Sequence, residues 1–520
     1  MGNLAVINIA GLSSAAYEPV FGGEAAFERV VSWACSVPEA GGIVFLAGED
    51  VEVPGIPVGN LPVTVIRRDA WNEDVLIRAL VEAAGAAVAG DSGPDALFYS
   101  WGDAPLVDAD VTRVLWDLHF KYDAEYTFAD GYPVGLAPEI LSASLPAKLV
   151  PLAAGREGEV KRDSLFEVLR QDINAFDVET HLSPDDMRME RISVTCDTRR
   201  NVLIAEALYE ADGRDAASLC SVIPANRGFL RSLPAYFPIQ VTDHHPQNVS
   251  YSAYAKWKGD PRGNSRVMDP GKFADLCGRI VEFAGDAVIV PSLWGEPASH
   301  PAVGEIIRSA LRAGEGRDRG GGPATTKVLV ETSGLGWNES LLEELAAEAG
   351  TGRLLWIVEL DAADPGLYAS LRGEGLAEAE KTARKLAALF GRDCWVQAVR
   401  MLENEEHLEE FHKKWTGEGV QVIIQKYDSH AGYLPEKQPA DLSPLNRFPC
   451  WHLKRDMPVL VDGTVPVCVD ALERMESLGN VFEDDLGRIW SAGERLHARH
   501  VAGEYPSPCA ECDEYYTFNF

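Results

Sequence analysis

The sequence predicts an α/β protein built from two strand–helix regions and a small cysteine-bearing domain. Short apolar runs alternate with helix-period stretches over residues 1–232, and again over 233–445. That alternation marks parallel strands joined by helical crossovers. After residue 445 it stops, and four of the nine cysteines follow as two pairs, Cys450/Cys468 and Cys509/Cys512. A chain of 520 residues is long for one domain, so the expected boundaries are 1–232, 233–445 and 446–520.

The net charge of −33 excludes whole classes of partner. Nucleic acid and anionic membranes would both be repelled by so acidic a surface, which leaves protein or small-molecule partners of unspecified identity. No apolar run approaches the roughly eighteen residues of a membrane span. The start of the chain lacks the basic and long apolar stretches of a signal peptide, so a cytoplasmic protein is expected. In a reducing compartment paired cysteines are metal ligands more often than disulfides. Four thiolates together suit zinc or an iron–sulfur cluster. Cys35, Cys196, Cys220, Cys277 and Cys394 are scattered among apolar residues and read as buried, inert thiols.

In the first region strands are expected at 4–9, 42–46, 63–66 and 96–100, with helices near 24–36, 73–88 and 110–120. Val111, Val114, Leu115 and Leu118 give the third helix an apolar face, and Asp108 or Asp110 can cap it. Ligands of parallel sheets gather at the carboxyl ends of strands. The fourth strand ends in Gly102-Asp103, where a carboxylate can hold a Mg²⁺–nucleotide or simply cap a turn. The charged segment 156–190 carries no motif and reads as a connector or arm.

Leu233-Pro234-Ala235-Tyr236-Phe237-Pro238 leads into the second region. Strands at 238–242, 286–292, 326–331, 354–360, 393–400 and 420–425, with helices between, predict an open, partial (β/α)6 barrel with function at the strands' C-terminal ends. Three of those ends are Trp294-Gly295-Glu296-Pro297, Glu331-Thr332-Ser333-Gly334 and Val358-Glu359-Leu360-Asp361. A Gly-Glu-Pro turn offers carbonyls and a carboxylate to an ammonium group. His244 and His245 are neighbours on extended chain and point to opposite faces, so hydrogen bonding at the barrel mouth is expected of them, not a shared metal.

In the last region twelve residues separate Cys450 from Gly463 and four separate Gly463 from Cys468. A turn at Asp462-Gly463 would return Cys468 beside Cys450. His452, His497 and His500 read as surface or supporting groups. The tail, with Tyr515, Tyr516, Phe518 and Phe520, is too aromatic for a disordered end and is expected to pack back.

These motifs carry resemblances. Asp74-Val75-Leu76-Ile77-Arg78, then Gly102-Asp103-Ala104-Pro105-Leu106, then Arg191-Ile192-Ser193-Val194-Thr195-Cys196-Asp197-Thr198 resemble the spore-coat type of cytidylyltransferase, which implies Asp103 and Asp197 as metal-binding residues. That family's first strand enters a basic, glycine-rich phosphate loop. Residues 10–23 hold no Lys or Arg here, so nucleotide transfer is expected to be lost or weak. Gly295-Glu296-Pro297 with His300-Pro301 resembles the radical S-adenosylmethionine (radical SAM) enzymes with a SPASM domain, and implies that Gly295, Glu296 and Pro297 bind the cofactor's amino group. Their C-x3-C-x2-C motif is absent. Pro246, Ser250 and Ala253 stand where its thiolates would be, so cofactor cleavage has no electron donor. Cys450 to Cys468, then Asp470, Gly479-Asn480, Ile489-Trp490 and Cys509/Cys512 resemble a shortened SPASM domain, implying one [4Fe–4S] cluster, with zinc as the alternative.

The whole order is similar to the spiro-SPASM proteins. The fold implied is a nucleotidyltransferase-like αβα domain, a radical-SAM-like barrel and a SPASM domain. The function implied is a binding, scaffold or electron-transfer protein with one cluster. The alternative is an enzyme with residual nucleotide, sugar-nucleotide or radical SAM-related chemistry.

Overall fold

A computed structural model describes residues 2–55, 57–86, 94–263, 265–314, 326–472 and 474–517. One compact unit runs to Leu230 and a second begins at Arg231.

The first unit is built on β1 (Asn3–Asn8), β2 (Ala40–Gly48), β3 (Val63–Arg68), β4 (Ala96–Trp101), β5 (Tyr126–Asp130), β6 (Glu139–Ser142) and β7 (Val178–Leu182). Their order is β3-β2-β1-β4-β6-β5-β7. In β1, Ala5 and Ile7 enter one core while Leu4 and Val6 enter the other. Both faces are covered, which is why the strand reads as an unbroken apolar run. The first four strands are parallel as expected, but β6 runs antiparallel to β4 and β5. The link between β5 and β6 is too short for a parallel crossover. The segment read as a connector supplies β7, an edge strand parallel to β5, and a short helix at Ser164–Leu169.

The helix Ala109–Tyr122 is capped by Asp108, which accepts the Val111 N–H at 2.7 Å. Its buried face differs from the expected one: Val111, Thr112, Leu115 and His119 point inward while Val114 is exposed. Thr112 Oγ1 takes the Trp33 Nε1–H at 2.9 Å, and His119 Nδ1 lies 2.9 Å from Thr127 Oγ1. Paired polar groups have displaced a valine from the core. The helix expected at 73–88 is described as Glu73–Ala84, and its last positions, 87 and 88, fall outside the described residues.

The second unit holds six parallel strands in sequence order: β8 (Tyr236–Pro238), β9 (Ala287–Val290), β10 (Thr326–Thr332), β11 (Leu354–Glu359), β12 (Cys394–Arg400) and β13 (Gln421–Lys426). Helices including Pro270–Ala284, Val303–Ala313, Glu339–Ala349, Leu376–Phe390 and Leu408–Gly417 connect them. Val328, Val330, Trp356, Val358 and Val396 pack into the helix layer. The opposite face changes along its length. Leu329, Ile357, Trp395 and Ile423 belong to an apolar cluster. One pleat further on, toward the strands' C-terminal ends, stand Glu331, Glu359, Gln397 and Gln425.

The first barrel strand is shorter than expected. The ladder stops at Pro238, and Ile239 bridges Val459 instead. Met457 N–H donates to Tyr236 O at 2.9 Å, Val459 N–H to Pro238 O at 2.8 Å, and Gln240 N–H to Val459 O at 2.8 Å. The C-terminal chain thus covers the β8 edge. Val459, Val465, Val481 and Ile489 share the barrel's own core, so residues after 446 lie in the same compact unit.

The Asp462-Gly463 turn forms, with Leu460 N–H donating to Thr464 O at 2.8 Å. Gly463 has φ +87°, and a Cβ there would lie 2.4 Å from the Phe482 ring. The return arm, β14 (Thr464–Val465), pairs antiparallel with β15 (Gly479–Asn480). The arm before the turn is already hydrogen-bonded to the barrel edge and is not free to pair. Of the five scattered cysteines, Cys196, Cys277 and Cys394 are buried, whereas Cys35 and Cys220 are only half-buried; all are free thiols.

Candidate metal centre and barrel chamber

Cys450 precedes the helix Trp451–Arg455, Cys468 precedes a 3-10 turn at Val469–Ala471, and Cys509 and Cys512 bracket another at Cys509–Glu511. These local turns bring all four thiols to one cavity, lined also by Leu453, His500 and Tyr515. Burial pushes every one of the four above the ordinary thiol range, Cys450 up to about 12, and their mutual proximity adds to the rise for Cys450, Cys468 and Cys512. Four thiols gathered in one cavity, Cys450 buried and the other three half-buried, become thiolates together only against a compensating cation.

Backbone groups already serve the sulfurs, with the Glu514 N–H reaching Cys512 Sγ at 3.3 Å. His500 Nδ1 accepts the Cys450 N–H at 3.4 Å, while its buried Nε2 has no hydrogen-bond partner among the described residues. The donor set and this orphaned nitrogen fit a metal–sulfur group. His497 and His500 are not surface residues: each is 2% exposed, and burial lowers them to about 3 and about 4. Tyr515 packs on Cys450 and Leu453, while Phe518 and Phe520 lie outside the described residues.

Among the described residues, trios of metal-type ligand atoms within 4.8 Å of one another are Asp428/His430/Asp470 and Asp428/Asp513/Glu514; the four thiols form no such trio. His430 Nδ1 lies 2.9 Å from Asp470 Oδ1 and 3.2 Å from Asp428 Oδ2. Asp470 lines the thiol cavity, and Asp428 and His430 line a second, larger chamber. This polar chain therefore runs from one to the other. Lys426 closes it with ion pairs to Asp513 at 2.8 Å and to Glu514.

The chamber, about 320 Å³, opens at the C-terminal ends of the barrel strands. Gly295 and Glu296 stand on its wall. The Glu296 carboxylate accepts the Thr332 hydroxyl at 2.6 Å, the Ser333 hydroxyl at 2.6 Å, the Ser333 N–H at 2.7 Å and the Ala298 N–H at 3.2 Å. Burial raises its pKa and these donors oppose the rise. A Cβ at Gly295 would stand 1.8 Å from Thr242 O, so only glycine fits. Pro297 starts a 3-10 turn, Pro297–Ser299.

Trp294 adopts a left-handed φ of +57° and stacks on Tyr254 with ring centroids 5.1 Å apart. Trp257 meets the Trp294 ring edge-on at 5.6 Å. Tyr254 and Trp257 belong to the segment that holds Pro246, Ser250 and Ala253, and among the described residues no cysteine lines the chamber. His245 Nδ1 lies 3.0 Å from Gln247 O, and burial lowers the ring to about 4. A Glu296 engaged by its own chain and a loop without thiols do not fit S-adenosylmethionine held on an open iron.

In the first unit the structure brings Asp103 and Asp197 together through a residue that carries no motif. Arg162 Nη2 donates to Asp103 Oδ2 at 2.6 Å and to Asp197 Oδ2 at 3.1 Å, and its guanidinium covers the Trp101 ring at 5.1 Å. Asp197 Oδ1 takes the Thr195 hydroxyl at 2.7 Å and Asn201 Nδ2 at 2.8 Å. Burial pushes Asp103 up and Arg162 pulls it back, whereas the partly exposed Asp197 is held below the usual range by Arg162, Asn201 and Thr195. The position a divalent ion would take between the carboxylates is thus served by a guanidinium. The loop at 10–23 adds no cation for a phosphate. These residues do not fit a Mg²⁺–nucleotide. Only the isolated Lys161-Arg162 pair, in a strongly acidic chain, could have drawn attention to this arginine beforehand.

The SPASM family of iron–sulfur cluster-binding domains matches residues 450–513. An uncharacterized protein of Treponema pallidum (strain Nichols) is 37% identical over 373 residues, which span 68% of this chain and 98% of that protein. The spore coat polysaccharide biosynthesis protein SpsF of Bacillus subtilis (strain 168) is 24% identical over 120 residues, 23% of this chain and 49% of that protein. The crystal structure of Streptococcus suis SuiB bound to precursor peptide SuiA is similar at 14% identity and a TM-score of 0.43, over 58% of this chain and 74% of that one. The chain belongs to the family of the Treponema pallidum protein: it is a spiro-SPASM protein, with an iron–sulfur cluster-binding SPASM domain and an N-terminal part similar to SpsF.

Proposed function

We propose that Cys450, Cys468, Cys509 and Cys512 hold a single [4Fe–4S] cluster and that the protein works as a binding, scaffold or electron-transfer module, not as a radical enzyme. The observation that carries this reading is the convergence of four thiols, one buried and three half-buried, on one cavity at a spacing too wide for zinc. A tetrahedral site with Zn–S near 2.3 Å sets its sulfurs roughly 3.8 Å apart. No trio of these thiols falls even within 4.8 Å. Four thiolate ligands leave no open position, so the cluster would carry electrons or brace the fold and would not bind substrate. The Cys468–Asp470–His430 contacts give it a polar route to the chamber wall. Free thiols of this kind suit a reducing compartment such as the cytoplasm.

Anaerobic reconstitution followed by metal and sulfide analysis tests the assignment. About four irons and four sulfides per chain are expected, and Cys468→Ser should lose most of both. Zinc without sulfide would overturn the cluster. Pyrophosphate release from CTP that Asp103→Ala abolishes would instead establish residual nucleotide transfer.

A further inference from the structure

We infer that the barrel chamber is a binding site for a small organic cation, anchored by Glu331 and hydrogen-bonded by the carboxamides of Gln397 and Gln425. This reading does not rest on the cluster. It rests on which charges in the chamber are already answered by the protein and which one is not.

Each other charged group at the chamber wall has a partner in the chain. Glu296 takes its four hydrogen bonds from Thr332, Ser333 and Ala298. Glu359 receives Arg372 Nη2 at 2.7 Å. Asp456 receives His452 Nδ1 at 2.7 Å and Arg455 Nε at 2.5 Å, and the Arg455 guanidinium also covers the Tyr236 ring at 4.5 Å. Asp428 meets His430, and Lys426 meets Asp513 and Glu514.

Glu331 is different. Its backbone N–H reaches Ser292 Oγ at 2.9 Å, but among the described residues its carboxylate takes no hydrogen bond and no ion pair. Glu331 is half-buried on the chamber wall, and a carboxylate without a partner there is stabilised by a cation brought to it. Burial and the neighbouring Glu359 raise Glu331 to about 7, the response of a carboxyl group awaiting positive charge.

The surroundings define the rest of the ligand. Gln397 on β12 and Gln425 on β13 line the chamber, and among the described residues their side chains take no hydrogen-bond partner. Each offers a donor and an acceptor. The stacked Tyr254 and Trp294 rings supply an aromatic wall, which also favours cations. A protonated amine bearing hydroxyl or amide groups matches this set. An anion would meet Glu331 and Glu359.

Calorimetric titration of the full chain with glucosamine and agmatine, and with N-acetylglucosamine as the neutral counterpart of the first, tests the inference. Saturable binding of the amines is expected, with at least a tenfold loss on acetylation and at least a tenfold loss in Glu331→Gln. Gln425→Ala should weaken binding less. Melting curves of Glu331→Gln establish that it folds. Binding should be the same before and after cluster reconstitution, which separates failure here from failure of the cluster assignment. No saturable binding of either amine, or equal binding to Glu331→Gln, overturns the proposal.

Discussion

In the N-terminal unit, two carboxylates at the ends of adjoining segments are joined by Arg162, which the chain brings in from a motif-free stretch. In the barrel, Glu331 and Glu359 also stand at strand ends, but the Arg372 guanidinium is committed to Glu359 and Asp361 and leaves Glu331 unanswered. Both sites are acidic positions of the kind that bind ligands in α/β proteins. The difference shows where such a protein can still act: a site whose charge is met from within is closed to external cations, and one left uncompensated remains open to them.

Removing Arg372 should break the contrast most strongly. Its side chain is fully buried and donates to Asp361 at 2.7 Å, Glu359 at 2.7 Å and Gln247 at 3.3 Å. Arg372→Met strands two carboxylates and should cost about 4 kcal/mol in denaturant unfolding. In the surviving folded fraction it should tighten amine binding, because Glu359 is released. A change under about 1 kcal/mol would mean that the pair contributes little.

Arg162→Ala comes next, at about 3 kcal/mol, because Asp103 is buried while Asp197 is partly exposed. This variant should also turn the first site into the second kind. Mn²⁺, silent with the wild type, should raise its melting temperature and give a bound-ion spectrum. If Mn²⁺ binds wild type and variant alike, the guanidinium does not close the site.

The smallest effect is a pH dependence. The groups facing Glu331 are Glu359 and the Tyr236 phenol, and its folded pKa of about 7 lies above the ordinary value of 4.5. The folded state therefore holds a proton that the unfolded chain has released, and stability falls as pH rises from 4.5 through 7. Glu331→Gln should melt slightly higher than wild type at pH 8 and no differently at pH 4. The opposite order would show that Glu331 has a cationic partner within the protein.

Much of this could be read in advance. Cys450, Cys468, Cys509 and Cys512 announce a metal site because two spaced pairs of soft ligands have few other uses in a reducing compartment. Strand–helix alternation gives the six parallel strands, because period and length are local properties. The strand ends at Glu331 and Glu359 were visible as strand ends. That one would be neutralised and the other left bare was not, because Arg372 reaches Glu359 through a fold that local pattern does not describe. Arg162 was invisible for the same reason: it lies 59 residues from Asp103 and 35 from Asp197. Glu296 was recognisable as a turn residue, but its four donors come from the next strand's end and its own turn.

By itself, then, the sequence determined the elements and the inventory: which strands exist, which thiols pair by spacing, and how acidic the chain is. Only the tertiary structure decided which charges meet. Periodicity and turn chemistry act over a few residues, whereas an ion pair depends on burial and on distances of a few ångströms between side chains far apart in the chain. That dependence is why Asp103 and Asp197 are joined to an arginine and Glu331 faces an open chamber.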